Sequence, residues 1–209
     1  MISTDAILRK VRDYYNDKIE THGANHRGVD WPTGESQTLR FDQLIRLIDE
    51  PAKGFSVNDY GCGYGALAQY LVDCGFVFNY TGFDISDSMI YRARELSDPI
   101  DNRAFTTDHK TLAPTDYSFC SGVFNVKLDI PVADWEQYVF NILDQAWQYS
   151  TKGLAFNMLT KYSDPERMRS DLYYADPGRM FAYCKTHFSR YVALLHDYEL
   201  YEFTILVRR

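Results

Sequence analysis

Three glycines at alternate positions, Gly61, Gly63 and Gly65, follow a short run of strand character, Val57-Asn58-Asp59-Tyr60. This stretch constrains the fold more than any other. An acid, Asp59, stands two residues before the first glycine, and a second acid, Asp84, ends the next strand-like run, Tyr80-Thr81-Gly82-Phe83, about 20 residues beyond Gly65. Glycine adopts backbone angles closed to other residues and lets the chain pass close to a ligand. An acid at the following strand end is placed to bind a ribose diol. The layout is that of a site for a nucleoside-containing cofactor.

Around this core, strand and helix patterns alternate. Residues 3–20 read as a helix capped by Ser3 or Thr4, with Ile7, Leu8, Val11 and Tyr15 on one face. Residues 21–35, rich in Gly, Asn, His and Pro, read as a loop, and a second helix runs from Ser36 to about Asp49. Strands are expected at 55–60, 78–84, 103–107, 116–124 and 153–159, with helices at 66–73, from Ser86 to about Leu96, and from Pro131 or Asp134 to about Tyr149. Such alternation predicts a three-layer α/β fold with a mostly parallel sheet. Residues 164–186 read as irregular to helical. The strands 191–195 and 200–207 are separated by only a few residues, which predicts an antiparallel hairpin. The 209 residues are expected to form one domain, with a helical cap at 1–50, a cofactor-binding core at 55–159 and a substrate-side segment with the terminal hairpin at 160–209.

Composition narrows the function. A net charge of −7 argues against nucleic acid as a partner. No window has the apolar length of a membrane span, and the start lacks an apolar signal core. The four cysteines, Cys62, Cys74, Cys120 and Cys184, form no CxxC pair, so no metal site is expected and a cytoplasmic setting is. A homodimer is compatible with such a chain.

Two cofactor classes compete for the glycine loop. Gly61, Gly63 and Ala66 satisfy the dinucleotide fingerprint, but a third glycine at Gly65, an acid at Asp59 where dinucleotide folds keep an apolar residue, and some 50 preceding residues of helical character favour a different nucleoside. Asp59 to Gly65, Asp84-Ile85-Ser86 and the stretch 116–125 resemble the class I S-adenosylmethionine-dependent methyltransferases over roughly residues 36–160. The resemblance implies a Rossmann-like methyltransferase fold of seven strands, the last one antiparallel, with an N-terminal helical lid. It also implies S-adenosylmethionine as cofactor. On this reading Asp59, Tyr60, Gly61, Cys62, Gly63 and Gly65 bind the cofactor, Asp59 toward its ammonium end, while Asp84 takes the ribose and Ile85 the adenine. Asp108 lies where the family contacts the adenine amino group, Ser121 is at the end of the fourth strand, Trp31 walls the pocket from the lid, and Arg40 meets the cofactor carboxylate.

The expected reaction is in-line methyl transfer to oxygen or nitrogen of a small molecule. Its catalytic residues are not legible; His22, His26 and Asn125 are the weak candidates, the first two because they lie in the 21–35 loop. The Asn- or Asp-Pro-Pro-aromatic motif of DNA amino-methyltransferases is missing at Asn125-Val126-Lys127-Leu128. Tyr162, Tyr173, Tyr174, Phe181 and Tyr183 are expected to wall the acceptor. A non-catalytic cofactor-binding scaffold and an NAD-linked oxidoreductase stay open as alternatives.

Overall fold

The structure, a computed structural model, describes residues 2–98 and 102–209. Seven strands form one sheet: β1 (Phe55–Tyr60), β2 (Phe78–Phe83), β3 (Arg103–Thr106), β4 (Thr115–Cys120), β5 (Ser150–Leu159), β6 (Tyr191–Leu195) and β7 (Glu202–Arg208). Their order is β3-β2-β1-β4-β5-β7-β6. The first five run parallel, and β7 is inserted antiparallel between β5 and β6, with Gly153 opposite Arg208 and Tyr191 opposite the same residue on the other side. This is the mostly parallel, seven-stranded arrangement with an antiparallel terminal strand that the sequence predicts.

Helices cover both faces because the buried strands are apolar on both. On one face α1 (Thr4–His22), α5 (Val132–Gln148) and α6 (Pro177–His187) pack Ile7, Val11, Trp135, Leu143 and Met180 against Phe156, Phe203 and Ile205. On the other, α2 (Gly34–Ile45), α3 (Ala66–Asp73) and α4 (Asp87–Leu96) pack Phe41, Leu44, Leu67, Leu71 and Ile90 against Val57, Phe119 and Leu206. Ser3 caps α1 by accepting from the Ala6 N–H, and Ser86 caps α4 by accepting from the Met89 N–H.

Several boundaries differ from expectation for local reasons. The second helix starts at Gly34, because Thr33 and Ser36 form a reciprocal capping box, and it ends at Ile45. The fourth strand stops at Cys120: Gly122 turns to φ 73° and gives its N–H to Asn157 Oδ1. Residues 177–187 are a regular helix, started by Pro177 and capped by Asp176. The loop 21–35 contains a 3-10 turn, His26–Val29, whose Gly28 packs on Ile19.

The sheet order reverses between β1 and β4. Chain leaving β1 builds outward through β2 and β3, whereas chain leaving β4 builds the other way. The carboxyl ends of these two strands therefore border a crevice, which is where open α/β sheets bind ligands. Gly61 and Ser121 lie on either side of it.

Candidate active site

The turn after β1 is built by glycines where it must be. Gly61, Gly63 and Gly65 have φ of 69°, 55° and 84°, and a Cβ on Gly61 would sit 2.7 Å from Val123 Cγ2. The turn is tied to the neighbouring strand: the N–H groups of Gly61 and Cys62 both donate to the Phe83 carbonyl, at 2.7 and 3.0 Å. Cys62 is buried against Gly82, and burial pushes its thiol pKa up.

Asp84 braces the same turn. Its Oδ2 accepts from the Gly63 N–H and its Oδ1 from the Ser86 N–H, each at 2.9 Å. Each carboxylate oxygen keeps a further lone pair for a ligand. Burial raises its pKa to about 6, against the lowering by those two N–H donors. Asp59 is 2% exposed. Its Oδ2 accepts from the Tyr80 hydroxyl at 2.5 Å, while Oδ1 is buried without a partner. Burial raises this carboxyl to about 7, with the Tyr80 bond opposing and Asp84 adding a little.

A cleft opens beside this turn, bordered by Tyr60, Gly61, Gly63, Asp84, Ile85 and Ser121, with Trp31 and Val29 from the 26–31 segment and Tyr15 and Val11 from α1. A smaller recess reaches Asp59, Cys62 and Tyr64. The Tyr60 hydroxyl and Ser121 Oγ, like Asp59 Oδ1, are buried without partners. Buried polar atoms in a native protein are almost always bonded, so Asp59 Oδ1 and Ser121 Oγ, on residues that border the crevice, fit a polar ligand. The glycine turn and partly apolar walls fit a nucleoside.

Trp31 lies between this cleft and a second one, bordering both. Its ring edge fills the space where Gly122 has no side chain, a Cβ there lying 2.1 Å from Trp31 Cζ2. The Arg40 guanidinium stacks 3.7 Å from its ring. The second cleft is lined by Asn125, Val126, Leu159, Leu172 and Leu200, and by Tyr15, Val29 and Gly122, which it shares with the first.

The other expected site residues do not border the first cleft. Arg40 does not present a free cation: Nε and Nη2 bind Glu202, and Nη1 donates to the Ser36 carbonyl at 2.5 Å. Asp108 is exposed and caps the 3-10 turn His109–Thr111 by accepting from the Lys110 N–H. His22 is exposed at the end of α1, and His26 contributes its carbonyl to the Trp31 N–H; neither ring borders the two clefts. Asn125 does border the second cleft. The expected aromatic wall is absent there: Tyr183 stacks on Phe140, the Tyr173 hydroxyl donates to Glu136, and Tyr162 is 66% exposed. Tyr15 and Met89 are lining residues that the sequence did not single out, although Tyr15 lies on the apolar face of α1.

Residues 57–144 match the family model described as a methyltransferase domain. A protein of Mycobacterium tuberculosis (strain ATCC 25618 / H37Rv) named as a methyltransferase, Rv1506c, is 48% identical over 165 residues, 79% of this chain and 99% of that protein. Among solved structures, magnesium protoporphyrin IX methyltransferase (ChlM) from Synechocystis PCC 6803 with bound SAH superposes with a TM-score of 0.68 at 16% identity, covering 97% of this chain and 99% of that one. The DhpI–SAH complex superposes at 0.67 and 16% identity, covering 99% and 98%. With its glycine turn, its strand-end acids and a sheet of this order, the chain belongs to the class I S-adenosylmethionine-dependent methyltransferases.

Proposed function

We propose that this methyltransferase transfers the methyl group of S-adenosylmethionine to oxygen or nitrogen of a small molecule in the cytoplasm. The observation that carries this reading is the pair of clefts that meet at Trp31 and Gly122. The first takes the cofactor and the second the acceptor. Four free thiols suit the reducing compartment.

S-adenosylmethionine supplies a methyl group on a positively charged sulfur. In this reading Asp84 accepts from the ribose hydroxyls with the lone pairs left by Gly63 and Ser86. Asp59 Oδ1 takes a donor at the ammonium end, directly or through water. Ile85 packs on the adenine, and Ser121 Oγ completes the polar lining. Trp31 and Tyr15, which border both clefts, hold the acceptor in line and exclude water. Orientation of this kind supplies up to about 7–11 kcal/mol of a barrier, so a dedicated base is not a requirement for an acceptor that ionises readily.

The test is transfer of radiolabel from methyl-labelled cofactor to cell extract, followed by fractionation. Label in a low-mass product that separates by chromatography from S-adenosylmethionine and its breakdown products, and that is missing without the enzyme, supports the reading. Label confined to protein or RNA contradicts it.

A further inference from the structure

We propose that the second cleft takes an uncharged, largely apolar acceptor, held by a hydrogen bond from Asn125 Nδ2 to one of its oxygen atoms. This rests on the reading of that cleft as the acceptor side. Asn125 is 4% exposed. Its Oδ1 accepts from the Leu159 N–H at 3.1 Å, and a backbone donor at that position identifies the other end of the amide as nitrogen. That nitrogen is buried, without a partner in the protein, on a residue that borders the cleft. A buried donor left unpaired is costly, and an acceptor oxygen placed against it removes the cost.

The charges around the cleft point to neutrality. Among the described residues lining it, every charged side chain already has an opposite partner. Arg40 binds Glu202 at 2.6 Å. Asp30 binds Lys18 at 2.6 Å and accepts from the Tyr14 hydroxyl at 2.7 Å. Arg169 binds Asp171 at 2.5 Å. A carboxylate or ammonium on the acceptor would lose its hydration here without gaining a counter-ion. Much of the remaining wall is apolar, with Val126, Leu159, Leu172 and Leu200 beside the Trp31 ring, which favours apolar surface.

Three phenols of matched ring size test this on the protein loaded with S-adenosylhomocysteine: neutral 4-hydroxyacetophenone, anionic 4-hydroxybenzoate and cationic tyramine. Binding is read by saturation-transfer NMR and titration. The ketone is expected to bind at least about tenfold more tightly than either charged ring, and Asn125→Leu to weaken it about tenfold with S-adenosylhomocysteine affinity by calorimetry unchanged. Leu172→Phe, which narrows the cleft and leaves the Leu159 bond intact, is expected to weaken the ketone as well and serves if the Asn125 variant does not melt cooperatively. Preference for the benzoate or the amine, no binding of any ring at millimolar concentration, or ketone affinity unaffected in a folded variant overturns the proposal. Failure of S-adenosylhomocysteine itself to bind overturns the cofactor assignment instead.

Discussion

Arg40 on α2 and Glu202 at the start of β7 form a buried ion pair across 162 residues of chain, with Nε at 3.0 and 2.9 Å from the two carboxylate oxygens and Nη2 at 2.6 Å from one of them. Their side chains are only 5% and 1% exposed. Glu202 also accepts from Asn157 Nδ2 at 2.6 Å, and Asn157 in turn holds the Gly122 turn. The pair therefore links Trp31, which stacks on Arg40, to the strand ends that border the candidate site. Removing one partner strands a buried charge, so Glu202→Ala is expected to cost about 3–5 kcal/mol. Denaturant unfolding checks this; a loss below 1 kcal/mol would show that water solvates the pair.

Asp84→Ala removes the carboxylate that both braces Gly63 and, in our reading, binds the ribose. Charged hydrogen bonds contribute about 1.5–3 kcal/mol, so S-adenosylmethionine affinity is expected to fall at least tenfold by calorimetry. Unchanged affinity would remove Asp84 from the binding site.

Both site carboxyls have raised pKa values, Asp59 about 7 and Asp84 about 6, against about 3.9 in an unfolded chain. The stability they contribute is complete in acid below about pH 4 and is lost as pH rises through 6 to 7. The free protein is thus expected to lose melting temperature from pH 5 to 8 on their account. Cofactor affinity moves the opposite way, because a cationic ligand favours the ionised acids. Asp59→Asn should flatten the upper part of both curves, as measured by thermal melts with and without S-adenosylmethionine.

Gly122→Ala tests the wall between the clefts. Its φ of 73° disfavours any other residue, and a Cβ would lie 2.1 Å from the Trp31 ring. The backbone term alone costs about 1–2 kcal/mol. A lower melting temperature, altered tryptophan fluorescence and weaker cofactor binding are expected together; a variant with wild-type fluorescence would show that Trp31 has another place to go.

The fold and the candidate site were legible to different depths. Alternating apolar runs fix the strands, and Asp59, Gly61, Gly63, Gly65 and Asp84 meet in space because the first two strands are adjacent and parallel, with Asp59 opposite Gly82. The second cleft was legible only in part, since it depends on pairings distant in sequence. Nothing near Arg40 announces Glu202 as its partner. The tyrosines of 162–183 read as a wall, yet several spend their hydroxyls on distant acids such as Glu136 and Asp144. His22 and His26 drew notice by composition alone, whereas the turn at His26–Val29 delivers Val29 and Trp31 to the cleft. Accordingly His22→Ala and His26→Ala are expected to leave methyl transfer within about twofold, as surface changes usually do for stability.

The most direct measurement is a crystal structure with S-adenosylhomocysteine. Ribose hydroxyls are expected at hydrogen-bond distance, about 2.7 Å, from Asp84, with adenine on Ile85 and the sulfur facing the Trp31–Asn125 cleft. A cofactor lying away from Asp84, or with its sulfur turned toward Arg9 and His109 in the groove beside α1, would contradict this placement.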